Sequence, residues 1–272
     1  MTTTHDLTAR AEAFAALHVP GSPLALANAW DVASARVVEA AGSPAVATTS
    51  AGVAWSLGAA DGDLLARDRA LDLIGRVVDA VSVPVTADIE GGFGADAEAV
   101  GETITGVLTA GAVGVNIEDG TRSPAEFAER LAAARAAADS AGVPLYVNAR
   151  IDTFLFGLGA PESRLDETLS RAAAYLRAGA TGVFVPGVVD PAVITELVKG
   201  VGAPLNVLAA PGAPTVSELA ALGVARVSLG SWVAETAYAV ARRATEELLA
   251  GGGYGALAGA LPYGELNALL KG

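Results

Sequence analysis

Val83-Pro84-Val85-Thr86-Ala87-Asp88-Ile89-Glu90-Gly91-Gly92-Phe93-Gly94 opens on a proline-marked apolar run and closes on two acids and a glycine-rich stretch. A run of this kind, rich in Val, Ile and Ala and bounded by a breaker, reads as a buried parallel strand over Val83–Ile89. Working outward, the same pattern recurs at Leu24–Asn28, Ala45–Thr49, Val113–Glu118, Pro144–Arg150, Gly182–Val185, Leu205–Leu208 and Arg226–Leu229. Segments with helical spacing of apolar residues lie between them: Val32–Ala41, Arg67–Val81, Ala95–Ala110, Ala125–Ala141, Arg164–Ala178, Pro191–Val201, Val216–Leu222 and Trp232–Ala250. Several end in Ala-Gly or Leu-Gly, as a helix C-cap does. Eight such alternations predict an α/β fold of the (β/α)8 TIM-barrel kind rather than a doubly wound sheet, and no Gly-x-Gly-x-x-Gly opens a first helix. Two further helices, Asp6–Leu17 and Tyr254–Leu270, fall outside the count. Residues 1–272 therefore read as one barrel domain with helical extensions at 1–20 and 251–272 that cap the barrel or pack on a neighbouring subunit.

Composition narrows the function. Of 272 residues, 52% are hydrophobic and 17% charged, which excludes a disordered chain. A net charge of -13 repels nucleic acid and anionic membrane surfaces but leaves a small ligand possible. The absence of Cys excludes disulfides, thiolate metal sites and a cysteine nucleophile. The polar start, Met1 to Arg10, lacks an export signal, so the cytoplasm is the expected compartment. The uncharged run Ala40–Ala60 is broken by Gly42, Pro44 and Gly52 and suits a buried strand with loops better than a membrane span.

In a barrel of this kind the chemistry belongs at the C-terminal ends of the strands. There the polar residues are mostly acidic: Asp88 and Glu90, placed on one side of the strand by a period of two, then Glu118 and Asp119, with Asp61 in the loop after the second strand. Arg150, in Asn148-Ala149-Arg150-Ile151-Asp152, supplies the opposite charge. Carboxylates crowded at one rim repel one another unless a cation sits among them, and hard oxygen ligands suit Mg²⁺ or Mn²⁺. The competing explanation is that each acid caps a helix or pairs with a surface Arg. The only two Lys, Lys199 and Lys271, are not at strand ends, which removes Schiff-base chemistry. The two His, His5 and His18, precede the first strand, which removes a histidine base from the barrel mouth. What remains suits a 2-oxo acid held by its carboxylate and carbonyl while an enolate is stabilised beside it. Thr48-Thr49-Ser50-Ala51-Gly52 offers hydroxyls and amides to such a carboxylate, or forms an ordinary turn.

Taken together, Asn28-Ala29-Trp30-Asp31-Val32-Ala33-Ser34-Ala35, Thr49-Ser50-Ala51-Gly52-Val53-Ala54 with Leu57-Gly58 and Asp61, Asp88 to Gly94, Ile117-Glu118-Asp119 and Ala149-Arg150-Ile151-Asp152 resemble the isocitrate lyase/phosphoenolpyruvate mutase superfamily. The resemblance runs from about Leu24 to Asn206 and rests on the order and spacing of five motifs. It implies a Mg²⁺-dependent barrel acting on C–C or C–P bonds of 2-oxo or 2-hydroxy acids through a pyruvate enolate, in homodimers or homotetramers whose last helix is often exchanged. It also implies roles: Asp88 as direct metal ligand, Asp61, Glu90 and Glu118 holding metal-bound waters, Arg150 gripping the substrate carboxylate, and Thr49, Ser50 and Ala51 surrounding the pyruvyl group. Asp61, Glu118 and Arg150 form the catalytic set, with Asp61 the candidate to orient or activate a water.

Two departures stand out. Asp88-Ile89-Glu90 replaces the superfamily's Asp-x-Asp, a longer arm that still serves through water. The lyase branch's Cys-containing loop is absent, since Glu118-Asp119 runs into Gly120-Thr121-Arg122-Ser123-Pro124. This speaks against isocitrate or methylisocitrate cleavage by a cysteine route, and the Lys and Asn of the mutase and phosphonopyruvate hydrolase gating loop are missing too. Arg122 is either a cationic lid residue or a surface Arg at a helix start. The expected function is a Mg²⁺-dependent lyase-type enzyme for a small oxaloacetate or pyruvate derivative. The alternatives are a phosphonopyruvate hydrolase or mutase-like enzyme and a non-catalytic 2-oxo acid binding protein.

Overall fold

The computed structural model describes residues 4–271; Met1–Thr3 and Gly272, the outermost residues of the two expected extensions, lie outside the described residues. Helix α1 (Thr4–Ala16) precedes strands β1 (Leu24–Leu26) and β2 (Asn28–Ala29), helix α2 (Val32–Ala40), strand β3 (Val46–Thr48) and helices α3 (Ser50–Ser56) and α4 (Arg67–Ala80). Then come β4 (Val85–Asp88), α5 (Ala97–Thr109), β5 (Gly114–Glu118), α6 (Pro124–Ser140), β6 (Tyr146–Arg150) and α7 (Arg164–Arg177). The chain finishes with β7 (Gly182–Val185), α8 (Pro191–Val201), β8 (Leu205–Leu208), α9 (Val216–Ala221), β9 (Arg226–Ser228), α10 (Trp232–Leu249) and α11 (Tyr263–Leu269).

All ladder pairings are parallel, in the order β1-β9-β8-β7-β6-β5-β4-β3-β2. The two ends of that ladder, β1 and β2, are separated in the chain by Ala27 alone, so the sheet closes on itself. Among the described residues the nine strands are thus the eight expected ones with the first split: Leu24–Leu26 pairs with β9, Asn28–Ala29 with β3. Barrel strands must tilt and stagger to close, and the break at Ala27 lets one short strand serve two neighbours at different heights.

The helices follow their sequence. In α4 the buried residues Ala70, Leu73, Ile74, Val77 and Val78 recur at three and four, one face turned to the sheet. Asp31, Asp96 and Ser123 cap α2, α5 and α6 by accepting from the backbone N–H three residues on. Gly42, Gly111, Gly142, Gly179, Gly202 and Gly223 follow six helices at positive φ, which accounts for the Ala-Gly and Leu-Gly endings. Two local expectations change. Ser50–Ser56 is a helix rather than a turn, with Thr49 at its N-cap, and it escapes a periodicity test because Ser50 through Ala54 are all buried. The C-terminal extension is not one helix but a 3₁₀ turn at Gly255–Leu257 followed by α11.

Among the described residues, no helix is long and apolar enough to cross a membrane. The main core runs from Phe14 and Leu24 through every barrel strand to Val227. Each strand from β2 on leads into a helix at its C-terminal end, where Asp88, Glu118 and Arg150 stand as last residues of β4, β5 and β6.

Candidate active site

Strand pairing assembles the site. Glu118 lies directly across from Arg150, and Asp88 across from Asn116, so the three side chains emerge from adjacent strands at one mouth. Arg150 is ion-paired through Nη1 to Glu118 Oε2 and through Nε to Asp152 Oδ1, the latter at 2.7 Å. Burial opposes its charge, but Glu118, Asp152 and Asp88 outweigh that and hold the guanidinium above its ordinary value.

Asp88 Oδ2 accepts from both donors of Ser50, the backbone N–H at 3.2 Å and the hydroxyl at 3.1 Å. The Asp88 N–H donates to Thr48 Oγ1 at 2.9 Å, which fixes the strand end. Its other oxygen, Oδ1, receives only a long 3.4 Å contact from the Glu90 N–H. That oxygen keeps electron pairs to give. Ser50 is thus tied to Asp88, whereas the Thr49 N–H is spent on the Ala29 carbonyl at 3.0 Å and is not offered to a ligand. Ala51 is buried in the first turn of α3 beside it.

Glu90 arrives by a different route from the one strand alternation predicts. The strand stops at Asp88, and Glu90 takes a left-handed backbone, φ 51°, at the head of the glycine-rich loop. Its Oε2 accepts from the N–H groups of Gly62 and Asp63, which ties the Asp61 loop to the strand end. Its Oε1 is buried without a partner. Burial, then the neighbouring acids Asp61, Asp63 and Asp88 against the Asp63 amide, push the Glu90 carboxyl up to about 7. Burial pushes Glu118 up to about 8, with Asp88, Asp152 and Asp61 adding and Arg150 opposing. Asp61 is raised as well, by burial of its carboxyl and by Asp88, while Arg150, the Ser50 hydroxyl and the Gly62 amide pull the other way. Glu90, Glu118 and Asp61 therefore each sense Asp88, and Glu90 and Glu118 sense Asp61 as well, reaching in from its loop.

Arg122 is no free lid residue here: Nη2 pairs with Asp63 Oδ2 at 3.1 Å, and its guanidinium packs on Gly91, where a Cβ would stand 2.5 Å from Nη2. Beneath it Arg130, on α6, donates to the carbonyls of Gly91, Gly94 and Ala95 at 3.2, 2.8 and 2.8 Å, holding the loop to the barrel. Asp63 and Arg130 act through tertiary contacts and carry no local signal in the sequence. Asp119 and Asp152 hold the site from behind. Asp119 is fully buried and accepts from Arg171 Nη1, Tyr175 Oη and the Asp152 N–H at 2.8, 2.8 and 2.9 Å. Its partners Arg171 and Tyr175 are four apart on α7, a spacing that could have pointed to a shared acceptor. Asp152 in turn is fully buried against Arg150, two residues away and hence on the same side of the chain.

The donor set fits a hard divalent cation. It consists of carboxylate oxygens and a hydroxyl, the buried Glu90 Oε1 has no partner, and Asp61, Glu90 and Glu118 are held above their usual range by burial and then by neighbouring acids, whose repulsion a dication relieves. Among the described residues no three acids converge tightly enough to grip a metal directly, an arrangement compatible with one direct ligand and water-mediated contacts to the rest.

Comparison with known proteins agrees with this geometry. The phosphoenolpyruvate phosphomutase family model matches residues 14–249. The uncharacterized protein Rv1998c of Mycobacterium tuberculosis strain H37Rv is 37% identical over 93% of this chain and 94% of its own. The 2-methylisocitrate lyase of Escherichia coli K12 is 31% identical over 71% of this chain and 68% of its own, and the oxaloacetate decarboxylase of Ectopseudomonas mendocina 31% identical over 71% and 67%. Among solved structures, a protein of Burkholderia cenocepacia J2315 assigned as a lyase/mutase superposes with a TM-score of 0.89 at 38% identity, covering 98% of this chain and 97% of its own. A phosphonopyruvate hydrolase in complex with oxalate and Mg²⁺ superposes with a TM-score of 0.80 at 27% identity, covering 96% and 95%. The chain belongs to the phosphoenolpyruvate phosphomutase family, in the superfamily that also contains isocitrate lyase and whose members are C–C lyases, mutases or hydrolases.

Proposed function

We propose that the protein is a Mg²⁺-dependent lyase-type enzyme acting on a small 2-oxo acid of the oxaloacetate or pyruvate class, with an enolate as the electron-rich intermediate. The observation that carries this reading is the meeting of Asp88, Glu118 and Arg150 at the ends of three adjacent strands. Asp88 would hold the metal directly through Oδ1, with Asp61, Glu90 and Glu118 holding its waters; Mn²⁺ would satisfy the same donors. When bound, the cation polarises a carbonyl and stabilises negative charge on it. Arg150 presents its fork to the substrate carboxylate, which takes the place of Glu118 at Nη1 while Asp152 keeps Nε and the orientation of the plane. Ser50 holds Asp88 in position and, with Thr49 and Ala51, walls the pyruvyl end. Asp61, reaching in from its loop, is placed to orient a water in a hydrolytic variant of the reaction.

Arg122 bears on the choice of substrate. A phosphonate carries more negative charge than a carboxylate, and the cation that could have met it is already paired with Asp63. This favours C–C over C–P substrates and weakens the phosphonopyruvate hydrolase or mutase reading. The test is pyruvate release from a panel of 2-oxo acids and their 2-hydroxy counterparts, with Mg²⁺ and with EDTA. Turnover that the chelator removes is expected. Equal rates in both buffers contradict the metal, and metal-dependent binding with no turnover of any acid makes the protein a binding protein instead.

The assembly belongs to the same proposal. Helix α10 buries only Ala234 and exposes Trp232, Tyr238, Leu248 and Leu249, too much apolar surface to leave in water. A groove of about 830 Å³ beside β1 and α2, lined by Leu24, Ala25, Ala27, Val37, Val38 and Val233, lies open where a barrel's eighth helix ordinarily packs. A second copy's α10 fits both needs, giving a homodimer or homotetramer by helix exchange. Light scattering is expected to read two or four copies, and Val37→Asp to lower that number; a monomeric wild-type chain contradicts the exchange. With a small acid as substrate and a net charge of -13, the cytoplasm is the compartment we assign, with neither nucleic acid nor membrane as partner.

A further inference from the structure

The floor of the barrel, at the opposite end from the mouth, holds a buried charge that the reaction does not use. Arg226 opens β9 with none of its surface exposed, next to Leu24 on one side and Asn206 on the other. Its Nε, Nη1 and Nη2 all lack a hydrogen-bond partner, and among the described residues no carboxylate lies within ion-pair distance of it. Burial pulls it down to about 10 against the opposing influence of Tyr146 and, from up the barrel, Asp88, so it stays cationic at neutral pH. An unpaired buried charge is among the costliest features a fold can carry.

The surroundings supply more unmet donors. Asn206 Nδ2 is buried and unpartnered, although its Oδ1 accepts from the Ser228 hydroxyl at 3.2 Å, and Thr86 Oγ1 is unpartnered too. Below them Phe14 of α1 and His18, two residues past its end, close the barrel. The His18 ring stacks on Tyr146 at 3.9 Å and donates from Nδ1 to the Phe14 carbonyl at 3.0 Å, which leaves Nε2 as a bare acceptor. Gly114 and Gly182 give this layer its room: a Cβ at either would stand 2.7 Å from the Phe14 ring or 2.2 Å from the Tyr146 hydroxyl. Up to about seven N–H bonds from Arg226 and Asn206 thus face one imidazole nitrogen and the hydroxyls of Thr86, Tyr146 and Ser228, none of which carries a negative charge. A barrel interior is ordinarily filled with branched aliphatic side chains, and this one has an excess of donors around a full positive charge.

We propose that the barrel floor is an anion site, in which a single monovalent anion of chloride size sits on Arg226 and Asn206 under the cover of α1. Water could satisfy part of the donor excess but would bring no negative charge into contact with the guanidinium, whose nearest acid influence, Asp88, lies beyond ion-pair distance. A monatomic anion answers both and asks for the least volume in a close-packed layer. Because α1 roofs the site from outside, the anion joins as the helix docks, and its binding adds to the stability of the folded chain rather than to turnover.

Crystals of the full chain soaked in sodium bromide test this. An anomalous peak beside the Arg226 guanidinium is expected; density there without anomalous signal, or none, means water or empty space and overturns the proposal. In solution, replacing gluconate by chloride at constant ionic strength should raise Tm by about 3 °C, the effect of a roughly tenfold shift in the folding equilibrium. Asn206→Asp sets a carboxylate beside Arg226 and should abolish both the bromide peak and the chloride dependence while preserving the fold. Arg226→Met should do the same where it folds. Chloride dependence that survives in Asn206→Asp contradicts the assignment.

Discussion

Asp88→Asn removes Mg²⁺-dependent binding of oxalate, weakening it by at least about 100-fold, and leaves the fold intact. The asymmetry of the two Asp88 oxygens is the reason. Oδ2 is committed to the Ser50 amide and hydroxyl, and an Asn carbonyl accepts those bonds equally well. Oδ1 is left with one contact of 3.4 Å and is the oxygen with charge to give a cation; an amide NH₂ there repels it. Circular dichroism and Tm close to wild type, together with calorimetry showing no heat of oxalate binding in Mg²⁺, are the expected readings. Oxalate binding of wild-type strength in the variant would place the metal elsewhere.

Arg150→Met destabilises the protein by about 3–5 kcal/mol, roughly 10 °C in Tm, besides abolishing turnover. Asp152 has no exposed surface, and its Oδ1 depends on Arg150 Nε at 2.7 Å while its Oδ2 already lacks a partner. Removing the guanidinium strands that carboxylate, and Glu118 with it. Because burial already raises both acids, each would take up a proton more readily still. The loss should therefore be larger at pH 8 than at pH 5, since charged acids without their cation are what the fold cannot carry. Asp152→Asn in the same chain should return part of the stability. Urea unfolding of the two variants decides the matter: wild-type stability in Arg150→Met would mean that Asp152 is held by something else.

Much of this was legible in the chain before any coordinates. The eight apolar runs were readable because strands covered on both faces need no polar alternation, and because Gly and Pro mark where most of them begin. Asp88, Glu118 and Arg150 were readable because a polar residue that ends an apolar strand has only the mouth to face. Other features belong to tertiary structure. Nothing in Leu24–Asn28 says that the strand must break at Ala27, since the break answers the stagger of a closed sheet. Glu90 followed the period of two on paper, yet its left-handed turn delivers it by way of the Gly62 and Asp63 amides. Arg122 carried two readings, and pairing with Asp63, 59 residues earlier, decides for a loop tie. Arg226 hid inside a strand because a single inward charge leaves the apolar run around it unchanged.

The central claim is that one mouth joins a dication on Asp88 to a 2-oxo acid carboxylate on Arg150. Oxalate, flat and doubly charged like the enolate of pyruvate, reports on both halves at once. Calorimetric titration of oxalate into the wild-type protein should show tight binding with Mg²⁺ present and lose it in EDTA. Binding of equal strength in both buffers, or none in either, contradicts the account.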